Sequence, residues 1–309
     1  MVIVALTPYL RSMFDFRLKV FHTAAKRLSF TKAASELFIT QPAVTKHIHE
    51  IEQYFKVKLF ERDGRKIRLT AAGETLLRHT EDLFSLYRTL EFEMHTQADK
   101  KAGRLRVGAS TTVAQYVLPP VLASFHQKFP DIRITLQTEN TEQVEQSLQQ
   151  HQVDIGIIEG RSKNSAFRYT TFLKDELVLV CKASNPLARK GIIKPDELLK
   201  IPLLLREPGS GTLEVIAHAL KPLGIKIAQL KKEMQMASTE SIKSYLQHSD
   251  CMAFLSIHSI KPELEQRLFS VINVKGLNIV RDFFFISPHG ESSALVKLFT
   301  QFALTYNFR

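Results

Sequence analysis

Between Phe30 and Leu69 the apolar residues of this chain change their period twice, and no other feature restricts its fold as strongly. Stepping 100° per residue from Val44 places Val44, Ile48, Ile51 and Phe55 on one arc. Pro42, Thr45, Lys46, His49 and Gln53 fall opposite, with Glu50 and Glu52 on the flanks. Such a helix buries the first arc and shows solvent a face of donors and positive charge. Thr40 reads as its N-cap and Pro42 as a first-turn residue, where an N–H has no acceptor inside the helix. Upstream, Phe30, Ala33, Ala34 and Leu37 predict a second helix whose small residues permit a close crossing at a turn near Ile39. From Lys58 to Thr70 the period falls to two around Asp63-Gly64, a dipeptide suited to tight hairpins, with Ile67 and Leu69 on one side and Lys66 and Arg68 on the other. The segment is therefore expected to form a helix-turn-helix and a basic wing, with Arg62 and Arg65 at the wing tip within reach of phosphates. A merely solvated basic hairpin does not explain why spacing, polarity and charge agree over some forty residues.

The charge distribution points the same way. The chain has 309 residues and a formal charge of +11, and residues 14–70 hold twelve Lys/Arg against six Asp/Glu, which is +6 of that excess. Positive charge concentrated in this way favours double-stranded DNA through phosphate contacts. With 44% hydrophobic residues there is enough apolar material for two or three domains, and no apolar run approaches the eighteen residues that cross a bilayer. Cys181 and Cys251 match no zinc or CxxC spacing and lie in apolar, strand-like runs, so they read as buried thiols in a reducing compartment, the cytoplasm. The eleven histidines lack ligand spacing, and neither a metal nor a cofactor is expected. The opening MVIVALTPYLRS has no basic n-region and makes a poor signal peptide.

The run SFTKAASELFITQPAVTKHIHEIEQYFKVKLFERDGRKIRLTAAGE resembles the N-terminal signature of LysR-type transcriptional regulators. Met13 stands where that pattern usually begins, which leaves the first twelve residues as an upstream extension or a loose arm. The resemblance implies that Gln41, Pro42, Thr45 and Lys46 approach the major groove, and that Thr31, Arg62 and Arg65 approach the backbone. Thr45 and Lys46 stand where Ser and Arg are common in the family, and His47 and His49 are unusual there. Base preference is thereby set apart, because base-edge contacts carry sequence readout.

Ala71 to Lys100 reads as one long helix capped by Thr70. Leu76, Leu83 and Leu90 with Thr80, Tyr87 and Met94 form an a/d seam, which predicts a homodimer. Association into a homotetramer is implied by the resemblance alone. Beyond the hinge at residues 100–103, strands are expected at Leu105–Ala109, Ile132–Gln137, Val153–Ile158, Leu177–Cys181, Leu203–Leu205 and Met252–Ile257, mostly with helices between them, as in an α/β sheet with right-handed crossovers. This half resembles the effector domain of the same family, which has the two-lobed fold of periplasmic binding proteins. The fold class is thus α+β overall, with a winged helix-turn-helix at 13–70, a dimerisation linker helix and hinge at 71–102, and an effector-binding domain at 103–309. By the resemblance, lobe I takes about 103–172 plus 271–309 and lobe II about 173–270.

Three strand-to-helix junctions in this half gather hydroxyls at the positive ends of helices, where anions bind. They are Ser110-Thr111-Thr112; Arg206 to Thr212, with Gly209, Ser210 and Gly211 allowing close approach of backbone N–H groups; and Ser238-Thr239. The second is not a P-loop, since the Gly-Lys-Ser/Thr ending is missing. Each of the three can also be no more than a helix cap. Together they resemble the LysR-type members that govern carbon fixation and sulfur assimilation, which implies a small anionic effector. An exported solute-binding protein leaves the helix-turn-helix unexplained, and an enzyme lacks any catalytic motif here. A nucleoid-type DNA binder without ligand control is the remaining alternative.

Overall fold

The computed structural model describes residues 15–63, 66–98, 100–160, 163–290 and 292–308. The chain divides into two compact units, Met1–Tyr87 and Arg88–Arg309. The expectations for residues 1–14, for Gly64 and Arg65 at the wing tip, and for the side chains of Arg62, Asp63 and Lys66 fall outside the described residues.

In the first unit, α1 (Phe16–Arg27), α2 (Phe30–Leu37) and α3 (Gln41–Phe55) precede β1 (Phe60–Asp63), β2 (Lys66–Leu69) and the start of α4 (Ala71–Gln97). Each helix begins at a side chain that accepts a backbone N–H orphaned in the first turn: Asp15 from Arg17, Ser29 from Lys32, Thr40 from Ala43 and Thr70 from Gly73. Phe21, Ala24, Ala33, Ala34, Val44, Ile48, Ile51 and Leu59 make a single core, so the small faces of α1 and α2 meet the apolar arc of α3. A side chain at Gly73 would place its Cβ 2.2 Å from the Leu59 carbonyl oxygen, so glycine is needed where α4 crosses the wing.

Two expectations are corrected here. Phe55 is not on the buried arc but 54% exposed. The helix ends at this residue, Lys56 turns left-handed at φ 55°, and the Phe55 ring lies edge-on to Tyr54 instead of the core. In α4, Leu76 and Thr80 face their own domain rather than a partner; Leu76 packs on the core, and Thr80 is fully buried with its hydroxyl donating to the Leu76 carbonyl. The exposed apolar stripe is Leu83, Leu86, Leu90 and Met94.

The second unit contains β3 (Gly103–Ser110), a π-helical turn (Val113–Val117) that runs into α5 (Leu118–Lys128), β4 (Ile132–Glu139), α6 (Thr141–Gln149), β5 (Ile155–Glu159) and the long β6 (Phe167–Lys182). After these come α7 (Pro186–Lys190), β7 (Ile192–Ile193), α8 (Pro195–Leu198), β8 (Leu203–Leu205), α9 (Gly211–Leu220), β9 (Lys232–Gln235), α10 (Thr239–Gln247), β10 (Met252–Ser256), α11 (Ile257–Glu265), β11 (Phe269–Val274), β12 (Ile279–Pro288) and α12 (Ala294–Leu304). Sheet order is β4-β3-β5-β12-β6-β10-β8-β9, with β11 paired to β6 and β7. β3 pairs in parallel with β4 and β5, and β8 with β9 and β10, whereas β6 and β12 run antiparallel to each other through the middle.

Two lobes result. One is built on Leu105, Val107, Ile157, Phe125, Phe283 and Phe299, the other on Leu179, Leu203, Leu205, Met252, Phe254 and Ile272. Because helices cover both faces of the sheet, β8 is apolar at every position and β10 from Met252 to Leu255: Leu203 and Leu205 point to one core and Leu204 to another. β9, β11, β12 and the first half of β6 were absent from the expected strands. Ile272, Val274 and Ile279 pack in the second lobe, so the chain returns to the first within β12 rather than near residue 271.

Candidate DNA interface and effector cleft

Thr31, Gln41, Pro42, Thr45, Lys46 and His49 are all exposed. Thr31, Gln41, Thr45, His49 and Lys58 line one concave surface between α2, α3 and the wing. The face is internally ordered: Gln41 donates its amide N–H to the Thr45 hydroxyl at 2.8 Å, and Gln53 pairs with the His49 ring at 2.9 Å. Lys46 projects into solvent with only a 4.0 Å contact to Glu50.

Glu52, expected on a flank of this helix, is buried. One carboxylate oxygen accepts the Leu59 backbone N–H at 2.9 Å and the other accepts from Lys58 at 2.8 Å, so it ties the recognition helix to the wing. Burial works to raise this carboxyl, but the Lys58 ammonium and the Leu59 N–H outweigh it and hold Glu52 below the usual carboxylate range. Glu81 on α4 is balanced in the same way: burial pushes it up, and His22 and Lys26 on α1 hold it low.

In the second unit the Ser110 and Arg206 junctions meet. Arg206 donates to the Thr111 hydroxyl at 3.4 Å, and the Glu142 N–H donates to the Gly209 carbonyl at 3.2 Å. The lobes approach so closely that a Cβ on Gly211 would lie 2.0 Å from the Glu159 carbonyl oxygen. Between the junctions lies the Glu159 carboxylate, which accepts from the Ser110 hydroxyl, accepts from Thr212 at 3.1 Å and sits 3.5 Å from Arg281. Arg281 also donates to Thr212 at 2.8 Å and to Asp175, its cross-strand partner, at 2.7 Å; Asp175 in turn accepts from Ser256 at 2.6 Å. Ser210 occupies the N-cap position of α9 without making a cap bond, and its buried hydroxyl has no partner among the described residues.

Nearby, the π-helical turn carries Tyr116 across to lobe II, where its hydroxyl donates to Glu240 and its ring lies 5.1 Å from the Lys243 ammonium. The π turn has a local cause. Pro119 and Pro120 supply no N–H for the next α-helical bonds, and the Leu118 N–H reaches five residues back to the Val113 carbonyl.

The family model described as "Bacterial regulatory helix-turn-helix protein, lysR family" matches residues 16–74, and "LysR substrate binding domain" matches residues 98–307. The chain belongs to the LysR family of transcriptional regulators. It is therefore a DNA-binding regulator with an effector-binding domain, not an enzyme. A "Probable RuBisCO transcriptional regulator" of Cyanidium caldarium is 32% identical over 82% of this chain and 81% of the relative. The fold is shared with full-length CbnR in a structure complexed with its target DNA, at TM-score 0.66 and 19% identity over 94% of this chain and 99% of the other. The regulatory domain of Synechocystis PCC6803 CcmR, solved in complex with 2-PG, matches at TM-score 0.60 and 25% identity over 66% of this chain and 98% of the other.

In this LysR-type regulator Ser110, Thr111, Arg206, Gly209, Gly211 and Thr212 come together across the lobes, with Ser210 and Thr112 buried beside them in the same junctions. The third junction is less involved: Ser238 simply caps α10 by accepting the Ser241 N–H, and Thr239 is buried behind it. Arg206 was expected to add positive charge, but its guanidinium is held bidentately by the adjacent Glu207 at 2.8 and 3.0 Å. Glu159, Asp175, Ser256 and Arg281 were missed. Two carried a readable signal, since an acid ending the apolar strand IGIIE and an arginine in the strand IVRDFFFIS are both costly to bury without a purpose. The two cysteines lie on opposite faces of the sheet, Cys181 in one core and Cys251 in another, and burial pushes the Cys181 thiol up to about 11. Among the described residues no helix is long and apolar enough to cross a membrane, and no cluster of metal-ligating side chains is present.

Proposed function

We propose that this cytoplasmic regulator binds paired half-sites on double-stranded DNA as a homodimer or homotetramer, and that a small anionic effector held between the lobes alters how it sits there. In this reading residues 13–70 bind DNA, 71–102 dimerise and 103–309 take the effector. Gln41, Pro42, Thr45, Lys46 and His49 face the major groove, and Thr31, Arg62 and Arg65 face the backbone. Ser110, Thr111, Thr112, Arg206, Gly209, Ser210, Gly211, Thr212 and Thr239 surround the effector.

The observation that carries this reading is the buried, partnerless Ser210 hydroxyl at the N-terminus of α9, set where the two junctions meet. A buried polar group without a partner is rare and calls for an explanation such as a bound molecule, and a helix N-terminus favours a negative one. That the similar CcmR regulatory domain binds 2-PG supports a small-molecule effector for this half. The ligand acts through its difference in affinity between lobe arrangements, and 1 to 3 kcal/mol is typical of such coupling.

The test is DNA footprinting of the full-length protein with and without 2-PG, inorganic phosphate or sulfate. Thr112→Val and Ser210→Ala are expected to abolish the anion-dependent change, while DNA affinity without anion stays within about threefold, less than about 1 kcal/mol. Variants that respond as fully as wild type place the effector elsewhere.

A further inference from the structure

Three basic side chains are buried among the described residues, Arg206, Lys243 and Arg281, and each already faces a protein carboxylate. Arg206 holds Glu207, Lys243 holds Glu240 at 3.0 Å and Glu263 at 2.7 Å, and Arg281 holds Asp175 at 2.7 Å with Glu159 at 3.5 Å. An anion entering this cleft therefore meets cations that are matched already. The carboxylates differ in what fixes them. Glu207 is the sequence neighbour of its cation, and Asp175 lies directly across the β6–β12 ladder from Arg281, braced by Ser256. Glu159 instead collects donors from three separate segments: the Ser110 hydroxyl at the end of β3, the Thr212 hydroxyl in the first turn of α9, and Arg281 on β12. It thus holds one hydroxyl from each of the two strand-to-helix junctions at once, Ser110 from one and Thr212 from the other.

We propose that Glu159 is an internal competitor for the effector: its carboxylate holds the donors that an anion needs, and the anion binds by taking Ser110, Thr212 and Arg281 from it. This rests on the anionic-effector reading above. A retained Glu159 carboxylate beside a bound anion would bring like charges together in a buried place, so the carboxylate swings away. The exchange also sets specificity. A monocarboxylate replaces Glu159 with an equivalent group and loses translational freedom as well. An oxyanion with two charges and more than two acceptor oxygens replaces it and has acceptors left for the Ser210 hydroxyl and Arg281 Nη2, both buried and without a partner among the described residues.

Calorimetric titration of the full-length protein with inorganic phosphate, sulfate and acetate at constant ionic strength tests this. Wild type is expected to favour phosphate and sulfate over acetate. Glu159→Gln removes the charge but keeps an acceptor oxygen; it should bind all three anions about tenfold more tightly and discriminate less between sulfate and acetate. Glu159→Asp keeps the charge with a shorter reach and should bind about threefold more tightly, which decides the matter if the glutamine variant does not fold. If wild type binds anions and both variants bind them no more tightly, the competitor role is wrong and the effector reading stands. If neither wild type nor the variants bind any of the anions, the effector reading fails and the competitor role fails with it.

Discussion

Replacing Glu52 separates the two jobs of its carboxylate, bracing the wing and pairing with Lys58. Leu59 is 1% exposed, so Glu52→Ala leaves its N–H without an acceptor in a place water does not reach, at a cost of about 1–3 kcal/mol. The Lys58 side chain is 72% exposed, so that ion pair adds at most about 1 kcal/mol. Glu52→Ala should therefore cost about 1–4 kcal/mol. Glu52→Gln keeps an oxygen for the Leu59 N–H and should cost only about 1 kcal/mol. For a domain of this size each kcal/mol moves the midpoint by about 4–8 °C, so calorimetry of the full-length protein resolves the two variants in the transition of the DNA-binding unit.

The pH dependence has a definite sign. Glu52 is held low in the folded protein, so its contribution is fully present above the unfolded carboxyl value near 4.5 and is lost as pH falls through the lower folded value. The difference between wild type and Glu52→Gln should shrink below that pH. DNA affinity should fall about equally on cognate and random sequences, because a displaced wing loses phosphate contacts rather than base contacts. A Glu52→Ala protein no less stable than Glu52→Gln at neutral pH would refute the role assigned to the Leu59 N–H.

Gln41→Ala and Thr45→Ala should each cost roughly 1–3 kcal/mol on cognate DNA and little on random DNA. Because the two side chains are hydrogen-bonded, their double mutant should depart from additivity by more than about 0.5 kcal/mol, and isotherms that add exclude the coupling. Leu83→Asp with Leu90→Asp puts carboxylates on the exposed stripe of α4, and light scattering should show loss of the dimer; a folded variant that stays dimeric moves the interface elsewhere. Cys181, with its thiol near 11, should resist alkylation at pH 8 in the native protein, and rapid labelling would contradict its burial.

The parts of this molecule legible in its sequence are those fixed by neighbours along the chain. Thr40 caps α3 because it stands three residues from Ala43, and the apolar arc Val44, Ile48 and Ile51 is set by helical period. The central strands were legible because a sheet covered on both faces is apolar at every position, as in Leu203–Leu205. The first half of β6, FRYTTFLKDE, carries no such signal; it is a strand because β12 pairs with it from Phe167 to Leu177. The candidate site divides the same way. Its hydroxyls announced themselves by standing before helices, but Glu159, Asp175, Ser256 and Arg281 come from four distant segments whose meeting is a property of the folded sheet. Phe55 was misplaced because periodicity continues on paper past the point where Lys56 turns the backbone left-handed.

The strand that carries Ser110 into the cleft also meets the C-terminal half of α4 through Asp154. Four residues before Ser110, Arg106 donates its backbone N–H to Asp154 at 2.8 Å and its guanidinium to the same carboxylate at 2.6 Å. Arg88 on the C-terminal half of α4 reaches that carboxylate at 3.2 Å. Burial pushes the Asp154 carboxyl up, but the Arg106 hydrogen bonds and both positive charges hold it below the usual range. Withdrawing Arg88 leaves Asp154 paired with Arg106 and loses one charge-assisted hydrogen bond, about 1.5–3 kcal/mol, comparable with the 1–3 kcal/mol typical of coupling between sites. A shift of β3 that accompanies a change at Ser110 therefore meets resistance at the Arg88–Asp154 contact. Ser110 and the Arg106 that shares Asp154 with Arg88 are parts of one strand.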